Sequence, residues 1–448
     1  MMQRFILLII TVCLFTASSS VQPKQTEKAL SEVERLYLTC KIWGFLKYYH
    51  PLVGKGSFDW DEKLVSVLNK TRSIQTYEEY ADYMARWIYY MGERPPCRSC
   101  NQPSSEELFL ENFDLSWTQS PDFSVELKKA LKDIERNRFQ GEHHYIGQGK
   151  VGQFEPKNEP QHYDLDWQNR NQRMIPLFRF WNYIEYFFPY KYQTEQDWDE
   201  VLKEMIPKFL DIDSKLDFHL AMLEMVVKVD DSHAGILTPI IEKMPYYNYL
   251  PARIEMIEGQ AVVTEIIDEA KSREQDLQIG DVIRTVNGQT VQELHDSHKK
   301  YIWGSNDAAK DRSIYHTLFM GLSGTADITI ERDQAISNRT ISFYTYSELS
   351  YESNKTLEKW RTIEDSIGYV DMGALTTGEV PGMMGELRDT KAIIFDVRNY
   401  PKGTMYKIAN YLNPMPSGFA IFLASLPGRK CGTVEKRILI IILERSFY

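Results

Sequence analysis

The sequence lacks a hydrophobic segment long enough to cross a bilayer as a helix, which needs about 20 apolar residues. An apolar run near the N-terminus, residues 5–15, is shorter than that and follows the basic Arg4. Small residues occupy positions 17–20. A positive end, a short apolar run and small residues predict a signal peptide over residues 1–20, and therefore export to the periplasm or the cell exterior. A membrane anchor is the less favoured alternative.

An excess of positive charge is also missing. Lys and Arg number 52 against 63 Asp and Glu, which gives a formal net charge of −11. A chain with this balance repels the phosphates of nucleic acids and of anionic lipids. We therefore expect no nucleic-acid partner and no membrane association once the signal peptide has been removed. Because 43% of the residues are hydrophobic, the composition is that of a folded protein.

Cysteine is scarce, with five in 448 residues. Cys97 and Cys100 are separated by two residues and follow two prolines. In an oxidising compartment this spacing favours a tight disulfide loop over a redox pair or half of a zinc site. A zinc site would need a second pair of ligands, and the two histidines at 143–144 are the only cluster that offers one. We expect neither a metal site nor a cofactor.

The N-terminal half contains an internal duplication. Residues 43–51 match residues 181–189 with an offset of 138, and the same offset carries 59–62 onto 197–200 without a gap. Two matches in one register indicate a repeated structural unit. Each copy predicts an aromatic helix ended by proline and then a second helix with aspartate as its N-cap. We assign the copies to residues 21–140 and 173–240, with a linker or loop over 141–172.

The duplicated aromatic residues have two interpretations. They could form a platform for a peptide or a sugar, but Trp43 and Phe45 recur with their neighbours at helical spacing, which is typical of a buried face. We favour packing. His50 is replaced by Phe188 in the second copy, so any role of His50 does not belong to the repeat.

From residue 241 to residue 346 the pattern changes from helical to alternating. Residues 261–267 predict a strand, and residues 279–291 predict two short strands closed by Asn287 and Gly288, a pair that tolerates a tight hairpin turn. Residues 326–332 and 340–343 predict another hairpin. The strand pattern by itself indicates a generic small β domain.

The stretch from Gly280 to Gly288 resembles the PDZ family, with Gly-Asp, two apolar residues and then Asn-Gly. The resemblance implies capture of extended C-terminal peptides, which add a strand to the edge of the sheet. It places the peptide-binding residues at Leu250, Ala252, Arg253 and Ile254. The family's usual glycine is missing there, and Pro251 has no amide hydrogen for a terminal carboxylate.

Residues 350–448 alternate strands and helices. Residues 366–372 and 391–398 predict buried strands, residues 380–387 a short helix, and the stretch after residue 404 a helix that ends near residue 412. This order is typical of an α/β layer.

Three features of this segment together resemble the catalytic core of tail-specific (C-terminal processing) serine proteases: residues 367–369, residues 395–399, and the pair Pro401 and Gly403. That family joins helical elements, a PDZ domain and a crotonase-like α/β core in the order seen here. The fold class that we expect is therefore multidomain α+β, with a duplicated helical region, a PDZ-like β domain and an incomplete crotonase-like core. The resemblance makes Gly403 a candidate for the oxyanion hole, with Lys402 where the family has another glycine.

The family's chemistry uses a serine nucleophile and a buried lysine as base. Both residues follow the segment just described, where Ser446 is the only hydroxyl in a suitable place and no lysine follows it. We therefore assign no catalytic residue in this chain and expect it to be inactive. Asp230, Ser232 and His233 have the residue types of a triad, but neighbours in sequence rarely face one another, so we favour a structural role.

Three hypotheses follow for the function. The chain is a serine-type peptidase of the tail-specific class, or it is a non-catalytic PDZ protein that holds peptides, or a frame disruption near residue 427 has replaced its catalytic end. In each case the expected partners are unfolded polypeptides or the C-terminal peptides of other proteins. The sequence leaves the oligomeric state open.

Overall fold

The computed structural model describes residues 28–98, 100, 111–149, 154–160, 165–236, 249–312, 318–319, 322, 324–350, 358–413, 420–425 and 434–439. The predicted signal peptide and Ser446 lie outside the described residues. Helices and sheets are both present, and the described hydrophobic side chains form three main cores that follow one another along the chain. No helix among the described residues is long and apolar enough to cross a membrane.

The first core belongs to helices. In chain order they are α1 (Glu32–Tyr49), α2 (Pro51–Gly54), α3 (Trp60–Thr71), α4 (Tyr77–Tyr89), α5 (Val125–Arg136), α6 (Arg170–Phe187), α7 (Trp198–Leu210) and α8 (Lys215–Val227). Helices α1 and α6 begin and end 138 residues apart, α3 and α7 begin 138 residues apart, and α4 and α8 again share the offset at both ends. The repeated unit thus contains three helices, whereas the sequence indicated only two. In the third pair only Met84 and Met222 are identical, so no match was visible.

The two copies are built around the same reciprocal pair of tryptophans. In the first copy the Nε1–H of Trp43 donates to the carbonyl of Trp60 at 3.0 Å, and that of Trp60 donates to the carbonyl of Trp43 at 3.3 Å. In the second copy Trp181 and Trp198 exchange the same bonds at 2.7 and 3.0 Å. All four side chains are buried. The duplicated aromatic residues therefore pack the core and form no exposed platform.

The copies also exchange equivalent ion pairs. Lys41 of the first copy bonds to Asp199 of the second at 2.8 Å. Arg179, which is the repeat equivalent of Lys41, bonds to Asp61, which is the equivalent of Asp199. Because the contact of α1 with α7 is matched by that of α6 with α3, the copies are related approximately by a two-fold axis.

The stretch 141–172, predicted as a linker or loop, contains two short antiparallel strands, β1 (Ile146–Gln148) and β2 (Phe154–Pro156). Tyr145 and Ile146 are buried in the helical core. Part of the stretch that was predicted as a linker or loop is therefore packed into the helical core in spite of its polar composition.

The second core lies in a β domain. Its strands are β3 (Ala252–Ile257), β4 (Gln260–Ile266), β5 (Val282–Val286), β6 (Gln289–Thr290), β7 (Thr325–Arg332) and β8 (Ala335–Ser342), and its helices are α9 (Glu269–Glu274), α10 (Val291–His298) and α11 (Asp307–Asp311). The described sheet is antiparallel with the order β3-β4-β5-β7-β8, and β6 pairs with β5. Asn287 and Gly288 adopt positive φ angles of 48° and 80° in the turn between β5 and β6. In that strand order no described strand pairs with the outer side of β3 or of β8, so these two are the edge strands of the described sheet.

The third core belongs to an α/β unit. Strands β9 (Trp360–Ile363), β10 (Ile367–Asp371) and β11 (Ala392–Asp396) form a sheet in the order β11-β10-β9, and helix α12 (Val380–Glu386) connects the parallel pair β10 and β11. Val380 and Met383 of α12 are fully buried against Val370 of β10. Helix α13 (Met405–Leu412) follows, and strands β12 (Ala420–Ser425) and β13 (Val434–Leu439) pair with each other.

Candidate functional site

The predicted peptide-binding residues lie on or just before the edge strand β3. Leu250, Ala252 and Ile254 point into the core of the β domain and are 1–3% exposed. Arg253 points the other way, and its side chain forms an exposed ion pair with Glu265 at 3.1 Å. The three apolar side chains therefore fill the core, so that a peptide at this edge would be contacted by the backbone of the strand.

The backbone of β3 presents polar groups at the open edge. Ile254 faces Val263 in the register of β3 and β4, and the N–H and C=O of Val263 are bonded to Asp281 and Gly280 on its other side. Pairs in an antiparallel ladder alternate between bonded and non-bonded. The N–H and C=O groups of Ile254, and two residues later those of Met256, consequently face away from β4.

The segment before β3 does not offer the amides that a terminal carboxylate requires. The N–H of Tyr249 donates to the carbonyl of Tyr344 at 2.6 Å, and the N–H of Tyr344 donates back at 2.9 Å. Pro251 has no N–H, and its carbonyl accepts bonds from Ile267 and Asp268. Tyr249 and Pro251, on either side of Leu250, therefore offer no amide hydrogen to a terminal carboxylate.

The loop after β11 is fixed by a charged network. Arg398 donates to both carboxylate oxygens of Asp396, and the hydroxyl of Tyr369 donates to Asp396 Oδ2 at 2.6 Å. These hydrogen bonds, that of Arg398 above all, hold the pKa of Asp396 well below its usual range. Asn399 is held against Gly373, where a Cβ would lie 2.4 Å from the Cβ of Asn399. The loop is thus tied to the end of β10.

Gly403, the oxyanion-hole candidate, precedes α13 with a φ of +69°. Lys402 is exposed and stays outside the left-handed region. Thr404 is fully buried, and its hydroxyl has no hydrogen-bond partner among the described residues. The amides of Gly403 and Thr404 donate no hydrogen bond to the described residues. The described residues therefore leave both amides without an acceptor. Thr404 was not predicted because nothing in the sequence distinguishes it from an ordinary helix cap.

Residues 230–233 do not form a triad. The ring of His233 is almost fully exposed, and its polar contact within the described part of the chain is with Asp231, at 3.1 Å. Ser232 instead exchanges hydrogen bonds with Ser305 of the β domain, and Asp230 pairs with Lys310 at 3.2 Å. This segment joins the helical region to the β domain, in accordance with the structural role that we favoured.

The remaining candidates are structural. Cys97 and Cys100 are joined by a disulfide bond, with their Cα atoms 5.5 Å apart. His50 is fully buried and caps α2, because its Nδ1 accepts the N–H of Leu52 at 3.3 Å. Among the described residues no group of three or more His, Cys, Asp or Glu side chains could hold a metal ion.

A buried charged cluster in the helical region was not predicted. Lys47 is fully buried, and its Nζ lies 2.5 Å from Glu159 of the stretch after β2 and 4.8 Å from the ring of Trp43. Glu159 also contacts Arg179 at 3.1 Å. Burial lowers the pKa of Lys47. The repeat offset makes Arg179 and Asp61 the equivalents of Lys41 and Asp199, so one ion pair would have predicted the other. Nothing in the sequence indicates that Glu159 joins this cluster.

No protein-family model matches the chain, and no curated protein matches it either. Solved structures similar to it include mature CPAF complexed with lactacystin, at 13% identity over 56% of this chain with a TM-score of 0.42. The photosystem II D1 C-terminal processing protease is 13% identical over 61% of this chain and 71% of its own, with a TM-score of 0.29. An S41 protease from Bacteroides fragilis NCTC 9343 is 12% identical over 43% of this chain and 50% of its own, with a TM-score of 0.18.

These structural neighbours are tail-specific proteases, the family that the sequence resembles. The chain spans 60% of the length of the CPAF structure that it matches.

Proposed function

We propose that this chain is an exported member of the tail-specific serine protease family whose PDZ-like β domain holds extended peptides without hydrolysing them. The observation that carries the proposal is the open edge of β3. A strand whose N–H and C=O groups face outward is a template for an incoming peptide, which pairs with it as an additional strand.

The edge is suited to the backbone of a peptide rather than to its terminus. Tyr249 is already paired with Tyr344, and Pro251 has no amide hydrogen. Internal segments of unfolded polypeptides should therefore bind as well as C-terminal peptides do. This differs from the C-terminal capture that the PDZ resemblance implies.

The absence of hydrolysis is proposed from the described part of the chain. There, no serine hydroxyl is hydrogen-bonded to a lysine amine or a histidine ring, and Ser232 is bonded to Ser305. The turn at Gly403 offers two backbone amides to a negatively charged oxygen, but amides supply no nucleophile.

The test is peptide binding by an edge-strand variant. A proline at Met256 removes one outward N–H and places a ring where the peptide would pair, and this should weaken binding by about tenfold. The probe is a fluorescein-labelled decapeptide that ends in Leu-Ala-Ala, followed by fluorescence anisotropy, and the same peptide with an amidated C-terminus should bind equally well.

Ile336→Pro is the matched control. Ile336 lies on the opposite edge strand, β8, is exposed, and is two residues from its two-residue hairpin turn, as Met256 is on β3. The proposal fails if both proline variants weaken binding equally or if neither does. A much weaker affinity for the amidated peptide would restore capture of the C-terminus.

Serine-type peptide hydrolysis is the second candidate. It is favoured by the loop that leads from Asp396 to Gly403, whose amides at Gly403 and Thr404 are available at the start of α13. Hydrolysis of an unfolded polypeptide by the purified chain, abolished by Ser446→Ala, would establish this function in place of simple peptide binding.

A further inference from the structure

A groove of about 1160 Å³ runs between α4 and α5, away from the open edge of β3. Helix α4 contributes Asp82, Ala85 and Tyr89 at helical spacing, and α5 contributes Val125. The side chains of Tyr89 and Val125 are both more than two-thirds exposed. The groove therefore presents exposed apolar side chains in a concave surface, a combination that in folded proteins marks interaction sites.

The groove is basic in a chain that is acidic as a whole. Six basic and three acidic side chains line it. The basic residues are Arg86, Arg94, Lys128, Lys129, Lys132 and Arg136. Only Arg94 and Lys132 have acidic partners among the described residues, at 2.8 and 3.0 Å. The other four side chains leave positive charge available to an acidic ligand.

The internal repeat shows how the equivalent surface is used in the second copy. Asp82, Ala85 and Tyr89 of α4 correspond to Leu220, Leu223 and Val227 of α8. These three α8 residues cluster with Tyr301 and Trp303 of the β domain. The same helix face is thus covered by a folded polypeptide in one copy and is open beside α5 in the other.

We propose that the groove between α4 and α5 docks an acidic, apolar-containing segment of a partner polypeptide. Charge complementarity selects an acidic partner, and Tyr89 with Val125 selects apolar side chains between its acidic residues. Asp82, Glu126 and Asp133 within the groove disfavour a ligand of uniform high negative charge, such as a sulfated polysaccharide. The use of the equivalent face on α8 favours protein over other ligands.

The experiment measures binding of an acidic probe to the full chain. The probe is a fluorescein-labelled peptide that repeats Glu-Phe-Glu-Ser, and its counterpart carries Gln in place of Glu. We expect the acidic probe to bind at least about tenfold more tightly, a difference of about 1.4 kcal/mol. Equal binding of the two peptides overturns the proposal.

Two charge-reversal variants with the same change in net charge locate the site. Lys129→Glu with Arg136→Glu should weaken binding by about tenfold. Lys55→Glu with Lys70→Glu, at exposed positions outside the groove, should leave it unchanged. Equal loss in both variants would show a general charge effect and overturn the proposal.

Two further measurements separate the alternatives. Tyr89→Ala should weaken binding of the acidic probe. Met256→Pro at the β3 edge should leave this binding unchanged, since no residue of β3 lines the groove. Loss of the probe with Met256→Pro instead would place it at the sheet edge and overturn the proposal. Heparin that binds the groove more tightly than the acidic peptide would show a polyanion site, with the same consequence.

Discussion

The crossing of α1 and α6 offers a sharp test of the internal repeat. Gly44 lies against Asn182, its equivalent in the second copy, and a Cβ at Gly44 would lie 1.6 Å from Asn182 Oδ1. Asn182 is fully buried, and its Nδ2 donates to the carbonyls of Phe178 at 2.8 Å and Cys40 at 3.3 Å. Gly44→Ala therefore forces a short, anchored side chain out of its place.

The expected cost follows from three contributions. Alanine in place of glycine inside a helix stabilises by about 1 kcal/mol. Overpacking a well-packed core costs about 1–3 kcal/mol, and the two lost hydrogen bonds of Asn182 cost about 1 kcal/mol each. Gly44→Ala should therefore lower the free energy of unfolding of the helical region by about 2–4 kcal/mol.

The assay is urea denaturation followed by tryptophan fluorescence, because most of the tryptophans lie in the helical region. The decisive variant exchanges the two residues, Gly44→Asn with Asn182→Gly. If the copies are equivalent about a two-fold axis, the asparagine at position 44 can donate to the same two carbonyls, and most of the lost stability should return.

Gly385→Ala is the matched control. Gly385 lies in α12, and no atom lies within 4 Å of a Cβ added there. This substitution should not reduce stability, since it adds no clash and restricts the unfolded chain. A neutral Gly44→Ala, or an exchanged variant as unstable as Gly44→Ala alone, would refute the two-fold relation.

Two further predictions concern the helical core. The first removes one indole hydrogen bond from each copy, with Trp60→Phe and Trp198→Phe. Each substitution should lower the free energy of unfolding by about 1–3 kcal/mol in the same urea assay, and the two values should agree within about 0.5 kcal/mol. A larger difference would contradict the equivalence of the copies. Burial lowers the pKa of His50 and of His143 from 6.5 to about 4. The unfolded chain therefore binds more protons between these values, and stability falls as the pH falls through that window, by up to ~3 kcal/mol for each histidine. A variant with asparagine at both positions should show a flatter dependence of unfolding free energy on pH from 6.5 to 4, and an unchanged slope would contradict the assignment.

Short-range patterns predicted much of the fold. The apolar runs at 366–372 and 391–398 correspond to β10 and β11, and the helix expected to end near residue 412 is α13. The prediction that both strands are buried was wrong for β11, where Ile394 is 49% exposed. Each of these elements is specified by its own residues and their immediate neighbours. The second strand of the hairpin at 326–343 was predicted too short, since β8 begins at Ala335. Its turn contains Asp333 and Gln334, both with positive φ. The turn was not predicted because it lacks the glycine that is typical of such turns.

The sequence did not predict which distant segments of the chain contact each other. The engagement of Tyr249 with Tyr344 depends on the ends of the β domain meeting, and neither residue signals its partner. Likewise, Leu250 and Ile254 were predicted to contact a peptide, whereas strand alternation turns them into the core. The position of the candidate site was thus predictable, but not which atoms it presents.

The repeat also shows what burial demands of a charged residue. Lys47 and its equivalent Glu185 carry opposite charges, and both are buried. Each is paired with a residue that the other copy does not supply at the equivalent place: Glu159 lies 2.5 Å from Lys47, and Lys191 lies 2.6 Å from Glu185. Burial lowers the pKa of Lys47 and raises that of Glu185, so both charged forms are disfavoured without their partners. A change of sign at this position therefore requires a change of sign in its counter-ion, and the segments that follow the duplicated helices have diverged to supply it.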